Sequence, residues 1–182
     1  AASRTKWWGP DRHIVIYFVT RARDEIYFVT SQSEEAGWMT PESWSAKGDV
    51  DELRRAYASF HPEVRAVLDA CPDVHKWALL ERDPLPTWRQ NRVVLLGDAC
   101  HPMTPYMAQG AACALEDAVI LSRCLETVGA DGIDVALARY EATRKPRTSD
   151  IQGTSSKNTW MRQSTDPGWV YGYDAWTDRL AS

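Results

Sequence analysis

The 182-residue chain lacks a GxGxxG turn anywhere along its length, so it carries no dinucleotide fingerprint of its own. It also lacks a complete Ser/His/Asp set and any spaced cluster of metal-ligating residues, which leaves no self-contained hydrolase or zinc signature. Its four cysteines, Cys71, Cys100, Cys113 and Cys124, include no CxxC pair and no framework spacing. That argues against a disulfide scaffold; reduced thiols in a cytoplasmic protein are the expectation. Apolar runs are short and bounded by charges, so no membrane span is expected, and no secretory signal pattern opens the sequence. With a net charge of -4 and no basic stripe, nucleic acid is not an expected partner. Internal repeats and low-complexity segments are missing as well.

Against these absences stand nine tryptophans, most of them suited to core or interface packing, where each ring N–H still needs a partner. Residues 13–20 and 25–30 are β-branched and aromatic runs separated by a charged turn, the pattern of an antiparallel hairpin. A two- or three-stranded sheet is marginal alone; residues 76–81 are a candidate partner strand. Asp49 is placed to cap a helix running to Phe60, and Pro62 to start a second one ending near Leu68. Residues 92–96 form a short continuous apolar run, as in a strand buried on both faces. Residues 109–128 are helical in pattern, with Gly129 as a stop. Asp134 caps another helix to Lys145, which Pro146 is expected to interrupt; residues 148–162 are a further helical candidate, followed by an aromatic tail. The fold class expected from these elements is mixed α/β (α+β).

The most informative stretch is Arg92-Val-Val-Leu-Leu-Gly97-Asp98-Ala99-Cys100-His101-Pro102, continuing through Gln109-Gly110-Ala111 to Glu116-Asp117-Ala118. A strand ending on Asp98 presents a carboxylate to sugar hydroxyls. A helix opening on Gly110 and Ala111 presents free backbone N–H groups to an anion or an electron-rich ring edge. The bland alternatives are a turn aspartate and a loop-to-helix junction that needs glycine. Cys100 and His101 beside Asp98 permit only a weak metal reading, because the ligands adjoin and no second cluster follows. Arg144 and Arg147 can pair with Glu116 or Asp117 or sit at a domain seam; solvated helix-end cations are the default, and they are assigned no chemistry.

In this stretch the chain resembles the single-component flavin-dependent aromatic hydroxylases, a family of FAD monooxygenases. The segment Tyr140-Glu-Ala-Thr-Arg144-Lys-Pro146-Arg147 resembles the family's segment after that helix, and the likeness extends over the whole chain as the C-terminal half of such an enzyme. The GxGxxG part of the family pattern is missing, and Cys100 stands where alanine is commoner. The resemblance implies residues 1–90 as part of a substrate-binding domain, 91–128 as an FAD-binding strand, loop and helix, and 129–182 as C-terminal helices with an aromatic tail.

By the same resemblance, FAD is the cofactor and NADH or NADPH the transient co-substrate. Asp98 meets a ribityl hydroxyl, and Gly110 with Ala111 faces the flavin N1–C2=O edge. Pro105 and Tyr106 run beside the substrate ring, and His101 is a structural group in the loop. The segment Trp7-Trp8-Gly9-Pro10-Asp11-Arg12-His13-Ile14-Val15-Ile16-Tyr17 resembles the substrate strand of family members that act on 6-hydroxynicotinate, where loss of the carboxylate accompanies hydroxylation. His13 and Tyr17 then become both catalytic and substrate-binding candidates. On a strand they share a face about 13 Å apart, so they can bracket one ring but cannot touch. For an isolated strand histidine a core or surface role competes with this reading. The implied partners are a small aromatic acid and O2, with a homodimer as a further expectation. Salicylate or hydroxybenzoate hydroxylation, and a non-enzymatic α+β interaction domain, remain as alternatives. A chain holding half a cofactor site is expected to be inactive alone.

Overall fold

The computed structural model describes residues 4–33, 45–126, 128–158 and 166–181. The chain forms two compact units, Ala1–Ala78 and Leu79–Ser182. Among the described residues no helix is long and apolar enough to cross a membrane.

In the first unit β1 (Arg4–Trp8), β2 (His13–Phe18) and β3 (Ile26–Ser31) form an antiparallel sheet in that order. The expected hairpin is β2 and β3, with Val15 opposite Val29 and Tyr17 opposite Tyr27. Its further partner is β1, with Trp8 opposite His13, rather than residues 76–81, which form no strand. Instead a two-residue ladder joins β4 (Lys47–Gly48) to β5 (Val74–His75). Side chains alternate across a strand, so Ile14 and Ile16 face the helices while His13 and Tyr17 lie on the other side. Ile14 packs with Tyr57, Val64 and Leu68, and Trp7, Phe28, Leu53 and Phe60 close the cluster.

Asp49 caps α1 (Val50–Ala56) by accepting the N–H groups of Asp51 and Glu52, as its position predicted. The helix stops four residues before Phe60, because Tyr57 turns into the core, where its hydroxyl bonds to Thr30 Oγ1 and donates to the His13 carbonyl. Burial pushes the Tyr57 phenol pKa upward. Pro62 opens α2 (Pro62–Ala70) at the position where a missing N–H costs nothing.

In the second unit residues 92–96 do not form a strand buried on both faces. Only Val93 and Val94 pair as a strand, β7 (Val93–Val94) against β6 (Arg89–Gln90), and Val93 is 67% exposed. An apolar run alone cannot distinguish a central strand from an edge, and here β6 is its only partner among the described residues. Two long helices dominate: α3 (Gly110–Leu125) and α4 (Ile133–Ser156). Pro146 does not interrupt α4. The hydrogen bond that the proline cannot make falls on the exposed side, at Ala142, where water can reach the carbonyl. Ala136, Leu137, Tyr140, Arg144, Thr148, Ile151, Gln152 and Ser155 form a buried stripe on both sides of the proline, which holds the helix through it. The predicted helix over 148–162 is thus the end of α4 as far as Ser156; residues 159–162 lie outside the described residues. The aromatic tail contributes a short α5 (Gly168–Tyr171) and the buried Val170 and Ala175.

Candidate functional site

Asp98 sits in a 3-10 turn, Gly97–Ala99, that follows the short β7 segment. Gly97 adopts φ +60, in the left-handed region, and a side chain there would press on Ala114 of α3 at 3.1 Å. Glycine at this position lets the turn lie against the helix, leaving the Asp98 carboxylate exposed. The chain then runs through a second 3-10 turn, Pro105–Met107, and a left-handed Ala108 before α3 opens. Pro105 is exposed and Tyr106 half-buried. No side chain caps α3, and the first backbone bond across its start is Cys113 N–H to Gln109 O at 2.8 Å. The N–H groups before Cys113 therefore point out of the helix end. A methyl group added at Gly110 would stand 3.7 Å from Asp98 Oδ1, so the carboxylate and the helix start are neighbours. One exposed acceptor, a set of uncapped donors and a glycine that keeps the approach open suit a cofactor with hydroxyl groups and an electron-rich carbonyl edge.

Beneath this cradle lies a buried frame of charges. Asp117, fully buried on α3, accepts the Gly97 N–H at 3.0 Å, His101 Nε2–H at 2.6 Å and Arg144 Nε–H at 2.7 Å. Burial pushes the Asp117 pKa up, but the bonds from His101 and Arg144, the Arg144 charge and the Gly97 N–H outweigh it and hold the carboxyl below its usual range. Arg144, also fully buried, reaches Glu116 at 2.7 Å and the Cys113 carbonyl at 3.4 Å. Arg147 grips both oxygens of Glu116 at 3.0 Å, donates to the carbonyls of Trp169 and Val170, and lies over the Tyr173 ring. Neither arginine is the solvated helix-end cation taken as the default from the sequence; the pairing with Glu116 and Asp117 that the sequence also allows is the one formed. Because α4 continues through Pro146, both are mid-helix residues facing α3.

Farther along α4, Gln152 donates to the carbonyls of Pro102 and Arg82, and Ser155 donates to the Thr104 carbonyl at 2.6 Å. These bonds clamp the loop between Asp98 and α3. Cys100, His101 and Asp117 bring metal-capable atoms together within 4.8 Å. They do not fit a cation: Arg144 already neutralises Asp117, and burial, followed by the nearby Asp117 charge, pushes the Cys100 thiol up to about 12. The thiol instead donates to the Gly97 carbonyl.

The sequence offers Glu116 and Asp117 as partners for Arg144, but its pattern does not announce that Asp117 also takes Gly97 and His101, or the role of Gln152. One signal was present for Asp117: it follows Gly110 by seven residues, two helical turns on the same face.

In the first unit His13 is buried on β2, with its ring 4.9 Å from the Trp8 ring and Nδ1 3.2 Å from Ser31 Oγ. Tyr17, half-buried on the same face of the strand, pairs with the Tyr27 ring at 5.3 Å. The strand thus presents an imidazole and a phenol on one side, separated by Val15.

The chain is 51% identical over 169 residues to 6-hydroxynicotinate 3-monooxygenase of Pseudomonas fluorescens, covering 93% of this chain and 43% of that protein. It is 50% identical over 175 residues to the enzyme of the same name from Bordetella bronchiseptica, covering 96% of this chain and 45% of the relative. The chain thus spans a little under half the length of these relatives. A salicylate hydroxylase solved with its substrate superposes with a TM-score of 0.78 at 25% identity, over 91% of this chain and 46% of that one. The family pattern described as FAD binding domain matches residues 2–154. With that match over most of its length, the chain belongs to the FAD binding domain family.

Proposed function

We propose that the protein containing this chain is an FAD-dependent monooxygenase that hydroxylates an activated aromatic or N-heteroaromatic acid, 6-hydroxynicotinate being the first substrate to test. The observation that carries the reading is the pairing of the exposed Asp98 carboxylate with the uncapped start of α3 at Gly110, in a chain half identical to two 6-hydroxynicotinate 3-monooxygenases. When bound, FAD supplies the redox chemistry, accepting a hydride from NADH or NADPH and using O2 to oxygenate the ring.

The chain's own residues orient and polarise. Asp98 accepts a hydrogen bond from a ribityl hydroxyl. The N–H groups of Gly110 and Ala111, at the positive end of α3, stabilise negative charge on the N1–C2=O edge of the ring system. Pro105 and Tyr106 border the substrate. His13 takes the proton of the substrate's ring hydroxyl and Tyr17 hydrogen-bonds its carboxylate or hydroxyl. An imidazole suits that transfer near neutral pH, and deprotonation makes the ring more electron-rich where oxygen must be delivered. In this reading residues 1–90 serve substrate binding, 91–128 flavin binding, and 129–182 support the flavin segment; the protein is cytoplasmic and homodimeric.

The test uses the product of the longest reading frame that contains this chain, purified and assayed for NAD(P)H oxidation coupled to product. His13→Ala is expected to weaken 6-hydroxynicotinate binding or uncouple NAD(P)H oxidation from hydroxylation. Unchanged affinity together with unchanged coupling would remove His13 from the mechanism. A preference for salicylate over 6-hydroxynicotinate would keep the reaction type and change the substrate.

A further inference from the structure

We infer that Asp117, acting with His101 and Arg144, is the positioning residue of the flavin cradle, fixing the spacing between the Asp98 carboxylate and the N–H groups that open α3. This rests on the assignment of flavin to that cradle. The bonding pattern carries it. Asp117 belongs to the same helix as Gly110 and lies two turns below it on the same face. Its Oδ2 atom takes the N–H of Gly97, the residue directly before Asp98, at 3.0 Å, and the side chain of His101, three residues after Asp98, at 2.6 Å. The Asp98 turn is therefore pinned on both sides to the helix that supplies the donor groups. Oδ1 is held by Arg144 Nε at 2.7 Å, which ties the arrangement to α4.

Each partner is needed in one orientation. Asp117, His101 and Arg144 are all buried to 1% exposure or less. In that setting a lost bond leaves a polar group without water to replace it. His101 Nε2 must carry the proton to donate, and His101 Nδ1 has no hydrogen-bond partner among the described residues, so among them the carboxylate is the imidazole ring's single hydrogen-bonding anchor. The Trp88 ring beside it, at 5.4 Å, fills space and supplies no competing acceptor. An amide at position 117 would turn one acceptor into a donor, facing either Arg144 or the Gly97 and His101 donors. The turn would shift relative to the helix while the apolar packing around it stayed in place.

A residue that served only folding would change stability and leave the flavin's properties alone once the protein was folded. The experiment takes the product of the longest reading frame containing this chain. FAD dissociation constants and visible flavin spectra are measured on the folded fraction of the wild type, Asp98→Ala, Asp117→Asn, His101→Leu and His101→Gln. The expected result is FAD binding weakened tenfold or more in Asp117→Asn and in His101→Leu, with a shifted flavin spectrum, and substantial recovery in His101→Gln, whose amide can still donate to Asp117. If Asp117→Asn fails to fold, the His101 pair decides. Wild-type affinity and spectrum in a folded Asp117→Asn, or equal loss in both His101 variants, would overturn the inference. A loss in Asp98→Ala with no loss in Asp117→Asn and His101→Leu would overturn it while leaving the flavin assignment standing. A wild-type protein indifferent to FAD would remove both.

Discussion

At the centre of the unit Ala1–Ala78 lie Ile14, Val64, Leu68 and the ring of Tyr57, whereas the deepest side chains of Leu79–Ser182 include Asp117, Arg144, His101, Thr148 and Ser155. Apolar burial is non-directional, and a core of that kind tolerates exchanges that conserve volume. A buried set of ions and hydrogen bonds is different. It adds little net stability over an apolar replacement of similar shape, yet each bond admits only a narrow geometry. The first unit needs its strand to be presented on a sheet, which apolar packing achieves with the Tyr57 hydroxyl bonded to Thr30 and the His13 carbonyl. The second must hold an acidic turn, a loop and a helix start in register, and it uses directional bonds from α3 and α4 to do so.

Removing one partner of the polar frame should have the largest effect. Asp117→Ala is expected to cost about 3 to 5 kcal/mol, because Arg144 is left buried beside a single remaining carboxylate and Gly97 and His101 lose their acceptor. Denaturant titration of the full-length protein would measure it. Replacing the pair together, as Asp117→Leu with Arg144→Met, should recover the part of the stability lost to the unpaired arginine, but not the part lost at Gly97 and His101, and should fail to recover cofactor affinity. Recovery of both would erase the contrast between the two cores. The same carboxylate gives the unit an acid limit. Its folded pKa lies below the unfolded value of about 3.9, so its contribution is complete above about pH 5 and is lost progressively as pH falls through the unfolded and then the folded pKa. Asp117→Asn should flatten that part of the stability profile.

In the apolar core, Leu68→Ala should cost about 2 to 5 kcal/mol, and Leu68→Met less than about 1.5 kcal/mol, since volume is nearly conserved. A large cost for Leu68→Met would mean the first core is as geometrically demanding as the second. A smaller effect is expected of Gly97→Ala, about 1 to 2 kcal/mol from the left-handed backbone alone. Its contact with Ala114 should also displace the Asp98 turn, so cofactor affinity should fall further than stability.

The sequence was most legible where signals were local. The alternating runs that became β2 and β3, the Asp49 cap, Pro62 at a helix start and the small-residue opening of α3 all depend on neighbours within a few positions. The candidate cradle was legible for a similar reason, since Asp98 and Gly110 lie in one ordered motif. What escaped depends on residues distant in sequence. The run 92–96 has the composition of a buried strand, but its burial depends on partners that composition does not name. Pro146 reads as a helix breaker unless the buried stripe on both sides of it is known. Arg144 reads as a solvated cation until α4 continues through that proline and turns the guanidinium toward Asp117, 27 positions away. His101 could be recognised as structural, while its partner on α3 could not.

The central claim is that Asp98 and the opening of α3 form a flavin cradle. The most direct measurement is FAD affinity in the product of the longest reading frame containing this chain, comparing wild type with Asp98→Ala by flavin fluorescence during reconstitution. The wild type should bind FAD and turn yellow, and the variant should bind about tenfold or more weakly, the weight of a hydrogen bond to a charged group. A folded Asp98→Ala protein with wild-type FAD affinity, or a colourless wild type indifferent to FAD, would contradict the account.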